Sequence, residues 1–153
     1  EVARHVEPLG VEVSPVADDL MDFWYDELDL LWKRAPAAIA GVTLNDALFA
    51  LETLALDRGM RVVYRGRHSP VQVGEIRHEL AGPAGLIERL DALPSAADWH
   101  AVLGRALTAC PIGKPKSAST TLVTAAPGLA LRDVPLYSWI IAPRTAVDLT
   151  IPS

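Results

Sequence analysis

A chain of 153 residues is long enough for one domain with a sizeable core and short for two. Half of the residues are hydrophobic, 22% are charged and the mean hydropathy is +0.22, which excludes a disordered tail. A formal net charge of −5 and a pI near 5.3 argue against a nucleic-acid-binding module, because phosphate contacts need a concentrated basic face.

No apolar stretch approaches the roughly 18 residues that span a bilayer, and no basic segment followed by a short apolar run opens the chain as a signal peptide would. The expected location is cytoplasmic, with no membrane partner. The single Cys110 makes no internal disulfide and belongs to no metal-ligand pattern, which fits a reducing compartment.

In chain order, residues 2–13 mix valines with charges, Pro8 and Gly10, and read as a bend before a strand at 11–13. From 16 to 33, Leu20, Trp24, Leu28 and Leu31 recur at helical spacing, widened by Phe23 and Trp32, with Asp18, Asp19 and Asp22 at the favourable positive end of the helix dipole. Pro36 and Gly41 mark a break. Thr43 is expected to cap the next helix, with Asp46 in the reciprocal position; Leu44, Leu48, Leu51 and Ala55 line one face, and Gly59 stands at the C-cap. Met60, Val62 and Tyr64 then alternate with Arg61, Val63 and Arg65 as in a half-buried strand. A polar link with Gly66 and Pro70 leads to a second strand over 71–80, in which Gly74 reads as a bulge or close backbone approach.

Pro83 opens a short helix carrying Leu86, Ile87, Leu90 and Leu93. A second capping signature at 95–98 precedes a helix whose Trp99, Leu103, Ala106 and Cys110 share a face. After a Gly, Pro, Lys and Ser loop over 111–119, three strands are expected at 120–125, 137–142 and 146–151. The fold class predicted is α+β: a mixed β-sheet with helices packed on one side. Glu1 in place of Met, and a strand ending just before Ser153, read as cut ends, so the chain is expected to be one lobe of something longer.

Four segments, taken in order, carry a resemblance. Gly41-Val42-Thr43-Leu44-Asn45-Asp46-Ala47-Leu48-Phe49-Ala50 has a Thr-x-Asn-Asp start followed by small and aliphatic residues. Val73-Gly74-Glu75-Ile76-Arg77-His78-Glu79-Leu80 places an apolar residue and Gly ahead of a strand. A helix pair leads to Cys110-Pro111-Ile112, and Leu131-Arg132-Asp133-Val134 through Val147-Asp148-Leu149-Thr150 forms a late strand pair ending Asp-Leu-Thr. This set, covering about 11–151, resembles the second, C-terminal lobe of the condensation-type acyltransferase superfamily, which has a chloramphenicol-acetyltransferase-like fold. The superfamily includes condensation domains of nonribosomal peptide synthetases and wax-ester-synthase-like acyltransferases.

The resemblance implies that 1–153 is a single lobe of a two-lobed, V-shaped fold with a tunnel between the lobes. It also implies amide or ester formation, in secondary metabolite biosynthesis, from thioesters carried on phosphopantetheine arms. In that family the base lies in a His-His-x-x-x-Asp-Gly motif on the first lobe, whereas His5, His68, His78 and His100 stand apart here. The expectation is therefore a lobe with no catalytic residue, no bound cofactor and no metal. It would supply the acceptor-side tunnel wall and carrier contacts, with a complementary N-terminal lobe and an acyl or peptidyl carrier protein as partners. The alternative is a non-catalytic module of the same fold that recruits a carrier protein or a tailoring enzyme. An unrelated α+β ligand-binding protein is a third reading. The family's strand Asn is His78 here, and its loop motif is reduced to Pro111-Ile112.

On this reading His78, Gly74 and Asn45 line the substrate tunnel. Ile76, His78 and Leu80 alternate onto one face, so His78 is either a tunnel-wall residue or a buried neutral histidine with a backbone partner. Arg61, Arg65, Arg67 and His68, with Lys114 and Lys116, form the one basic concentration and would contact a carrier or a phosphopantetheine phosphate, where Arg forks suit paired oxygens. Their plainer reading is a solvated strand edge. Asp22, Asp26 and Asp29 recur on one helical face, which reads as solvated more readily than as a paired-carboxylate site. Cys110 reads as a buried, inert thiol, and Ser117, Ser119, Thr120 and Thr121 lack a nucleophile elbow.

Overall fold

The computed structural model describes residues 20–34, 38–95, 98–108, 116–128 and 134–143. The expectations for 2–13, Asp18, Asp19, Pro36, Cys110, Lys114 and the 146–151 strand lie outside those residues.

Helix α1 covers 20–34 and runs as Leu20–Phe23, a π-helical turn Trp24–Leu28, and Asp29–Arg34. Trp24, Leu28 and Trp32 are buried, and the two indoles meet edge to face with ring centroids 5.4 Å apart. The wider turn rotates the apolar stripe, so Trp32 rather than Leu31 continues it; Leu31 is 41% exposed. Strand β1 (Ile39–Thr43) leads into α2 (Asn45–Asp57), which buries Leu48, Leu51 and Ala55 and ends, as its sequence predicts, at a left-handed Gly59.

Two expectations in this segment are corrected. Asp29 is not on a solvated face: it is 6% exposed and ion-paired to Lys33, at 2.6 Å, and to Arg58 just past α2. The hydrogen bond from Lys33 and the charge of Arg58 hold its carboxyl below the usual carboxylate range despite burial; Lys33 pairs within α1, and Arg58 ties α1 to the end of α2. Thr43 does not cap α2 either. Its Oγ1 accepts from Trp139 Nε1 at 3.0 Å, and the N-cap is Leu44, which has no side-chain acceptor. The Trp139 side chain is packed in the core, so its N–H needs a protein partner, whereas the helix start can use water.

The chain continues through β2 (Met60–Gln72), β3 (Glu75–Pro83), α3 (Ala84–Leu90), a short 3₁₀ turn (Leu93–Ser95), α4 (Trp99–Thr108), β4 (Ser117–Ala125) and β5 (Leu136–Pro143). Asp98 precedes α4 and accepts from the His100 backbone N–H at 3.0 Å, so Asp98 is itself the cap, whereas the capping signature at 95–98 implies Ser95 as cap with Asp98 in the reciprocal position; Leu93–Ser95 forms the 3₁₀ turn instead. The sheet is five-stranded, in the order β1-β5-β2-β3-β4. Every described pairing is antiparallel, where a mixed sheet was expected, because β5 enters between β1 and β2 and separates the two strands that run parallel. β2 also runs on through Gly66 and Pro70, the expected link; its register shifts between Pro70 and Gln72.

The helices cover both faces, not one. Alternation along β5 sends Tyr137, Trp139 and Ile141 to a core under α1 and α2, and Ile140 to a second core under α3 and α4. A register shift between Val62 and Tyr64 explains why the expected common face of Met60, Val62 and Tyr64 divides: Met60 and Val62 join the first core, Tyr64 the second. The result is α+β, with the β2–β3–β4 part of the first face left uncovered by the described helices. No described helix is long and apolar enough to cross a membrane.

Gly41, expected at a break, lies inside β1 opposite Trp139. A Cβ at Gly41 would sit 2.8 Å from Cη2 and 2.9 Å from Cε2 of that indole. Gly41→Ala should therefore cost about 1–3 kcal/mol of stability in urea unfolding. In a Trp139→Phe background, which removes the clashing ring, the cost should shrink; equal costs in both backgrounds would overturn the packing account.

Candidate functional site

The sheet face beneath α3 and α4 holds a closed polar network. Tyr64, Gly66 and His68 keep one parity along β2, and Ile76, His78 and Leu80 keep one along β3. His68 and His78 are direct cross-strand partners. Their Nδ1 atoms are 2.7 Å apart, so one proton lies between them. His68 Nε2 is 2.7 Å from Ser138 Oγ on β5, and His78 Nε2 is 2.8 Å from Thr124 Oγ1 on β4. Tyr64 Oη is 3.1 Å from Ser138 Oγ, so the chain of hydrogen bonds runs across β5, β2, β3 and β4. Gly66 makes room for it: a Cβ there would lie 2.6 Å from Tyr64 Oη.

Trp99, at the start of α4, closes the network from above, with its ring centroid 5.4 Å from that of His68 and 5.0 Å from that of His78. His68 is 1% exposed and His78 0%. Burial, reinforced by His78 and His100, pushes His68 down to about 3; burial and His100 push His78 down to about 4. Burial raises the Tyr64 hydroxyl to about 12, against the opposing effect of its Ser138 hydrogen bond. Both imidazoles are therefore neutral, with every ring nitrogen used by a neutral partner.

These positions revise two sequence expectations. His78 faces the core as its alternation predicts, but its partners are side chains, His68 and Thr124, and not backbone. His68 is not at an exposed basic edge; it lies on the opposite face from Arg65 and Arg67, sealed from solvent. The signal is in the sequence, since Tyr64, Gly66 and His68 continue one alternation through the glycine expected in a link.

The uncovered face holds the remaining basic residues. Arg65 Nη2 is 2.5 Å from Glu52 Oε2 on α2, and Arg67 Nη1 is 3.3 Å from Glu79 Oε2 on β3. These side chains are about half exposed. Glu52 and Arg65 border an open depression of about 590 Å³ that runs to Ala81, Gly82 and Ser117–Ser119. A neighbouring depression of about 480 Å³ shares Arg65 and reaches Arg67, Glu79, Thr121 and Tyr137. Arg61 sits between Met60 and Val62, which enter the α1/α2 core, so its side chain leaves from the other face. The expected cluster of Arg61, Arg65, Arg67 and His68 is thus split, and only Arg65 and Arg67 share a surface.

The tunnel trio is likewise dispersed. Gly74, at φ +78, forms the β2–β3 turn and its carbonyl accepts from Ala126 N at 2.7 Å. Asn45 is exposed at the start of α2, and His78 is enclosed. Among the described residues no group of three or more His, Cys, Asp or Glu converges as a metal site.

The network has a measurable signature. His78→Leu alone leaves the buried Nδ1 of His68 without a partner and should cost about 1–3 kcal/mol, whereas His68→Leu/His78→Leu together should cost less than the two single changes summed. Below the ordinary histidine value of 6.5 the unfolded chain binds protons that the folded pair refuses. Stability is therefore full above about pH 6.5 and falls as the pH drops toward 4, by about 1.4 kcal/mol per pH unit for each imidazole. Urea unfolding at pH 7, 6 and 5 should show that fall in the native chain and a much smaller one in the double variant.

No family model matches this chain, and no curated protein or solved structure matches it either.

Proposed function

We propose that this chain is a binding module of the acyl-transfer type of system, whose open sheet face docks an acidic carrier protein and which leaves acid–base chemistry to a partner. The observation that carries the reading is the segregation of its polar groups. The imidazoles of His68 and His78, a side-chain type well suited to act as a base near neutral pH, are sealed under α4, while the guanidinium groups of Arg65 and Arg67 stand on the open face.

The energetics support exchange of partners at that face. Exposed ion pairs such as Arg65–Glu52 and Arg67–Glu79 are worth about 0–1 kcal/mol each, so carboxylates or a phosphate on an incoming protein can displace them at little cost. A guanidinium then offers paired donors to paired oxygens. Serine and threonine hydroxyls from β4, at Ser119 and Thr121, add short polar contacts along the same depression.

A second reading makes the chain one lobe of a condensation-type acyltransferase, with a partner lobe bringing His-His-x-x-x-Asp-Gly. It is favoured by the apolar residues that α2 leaves in solvent, Phe49 at 70% exposure together with Leu44 and Leu56, which a lobe packed against another would cover. Both readings use the same Arg65/Arg67 face.

Binding of a carrier protein bearing a phosphopantetheine thioester, measured by calorimetry at low salt, tests the proposal. Arg65→Glu/Arg67→Glu should weaken binding at least tenfold, and Glu79→Gln, which frees Arg67, should strengthen it. Unchanged affinity in the charge-reversed variant, with its circular dichroism intact, would overturn carrier docking. Adding a separate lobe that carries the histidine motif should produce acyl transfer only if the second reading holds.

A further inference from the structure

The His68–His78 pair can take one proton while closed, but not two. In the neutral pair one Nδ1–H donates to the opposing Nδ1, and the outer nitrogens bond Ser138 and Thr124. A first added proton keeps that pattern: the cationic imidazole donates from both nitrogens, and the neutral one accepts at Nδ1 and donates at Nε2. A second proton would set two N–H groups against each other across 2.7 Å, on two like charges with no carboxylate bonded to either ring among the described residues.

The surroundings decide where the structure yields. β2 and β3 supply the imidazoles, β4 and β5 supply only the hydroxyls of Thr124 and Ser138, and α3 faces the same core with Leu86, Ile87 and Leu90. The titratable groups acting on the pair are each imidazole on the other, Tyr64 through Ser138, and His100 from α4. His100 stacks on Trp99 with centroids 3.9 Å apart and lies 3.2 Å from Asp98 Oδ1. The strands are held by ladder hydrogen bonds and are backed on the other face by the α1/α2 core at Met60, Val62, Trp139 and Ile141. Helix α4 meets this region through side chains, with Trp99 as the cover. Lifting it is the least disruptive way to hydrate both rings.

We propose that the His68–His78 pair is an acid-sensitive latch, in which uptake of two protons releases α4 from the sheet while the core under α1 and α2 stays packed. The open form titrates as ordinary histidine, so between pH 6.5 and about 4 the open-to-closed ratio rises by up to about 100-fold per pH unit. With one imidazole the rise is about tenfold per unit.

Amide hydrogen exchange on the full chain from pH 7 to 5, corrected for intrinsic rates, separates this local opening from whole-molecule unfolding. The 103–108 amides of α4 should be less protected than the 48–55 amides of α2 at every pH. They should lose protection with the two-proton slope and respond weakly to added urea. His78→Gln should reduce the slope to about tenfold per unit, His68→Leu/His78→Leu should abolish it, and Arg105→Gln, a change on the exposed side of α4, should preserve it. Equal protection of α4 and α2, pH-independent protection of α4, or a steep slope surviving in the double variant would each overturn the latch.

Discussion

The seating of β5 between β1 and β2 joins chain segments that are far apart in sequence, since Ile39–Thr43 bonds to one of its edges and 60–68 to the other. Its backbone donors and acceptors are thereby satisfied on both sides, as a buried strand requires. Its side chains then serve two interiors in alternation. Ser138 and Ile140 face the core beneath α3 and α4, while Tyr137, Trp139 and Ile141 face the one beneath α1 and α2. Two adjacent residues illustrate the dependence: Ser138 anchors the outer nitrogen of His68, and Trp139 binds Thr43 and fills the space that Gly41 leaves.

Placing β5 in the centre also settles the chemical character of each face. A buried polar group costs free energy unless it is hydrogen-bonded, so the histidines under α4 exist as a closed set in which hydroxyls from β4 and β5 complete what β2 and β3 begin. On the opposite face, Arg65, Arg67, Glu52 and Glu79 remain in water, where their pairing is worth little and is easily exchanged. The molecule thus separates a buried imidazole pair from groups that present charge to solvent, and the proposed binding role and the proposed latch draw on different sides of one sheet.

Local pattern revealed much of this. The stripes of α3 and α4, that of α2 from Leu48 onward, the Gly59 cap and the inward face of β3 follow from spacing within a few residues. The errors arose where a local rule met a distant partner. Thr43 looked like a helix cap and instead receives the Trp139 indole N–H. Leu31 looked buried until a π-helical turn rotated the stripe toward Trp32. His68 looked exposed because neighbouring arginines suggested a basic edge, although the parity from Tyr64 pointed inward.

The sequence by itself determined the four helices and most of β2, β3, β4 and β5, because periodicity of 3.6 or 2 is a property of the local chain, but not β1 or the run of β2 through Gly66 and Pro70. It also determined that His78 turns inward with Ile76 and Leu80. Only the tertiary structure decided the strand order, the covering of both faces and the meeting of His68 with His78, Ser138 and Thr124. Register across strands is set by packing and by bulges such as the one between Val62 and Tyr64, and those interactions join residues that no local window contains.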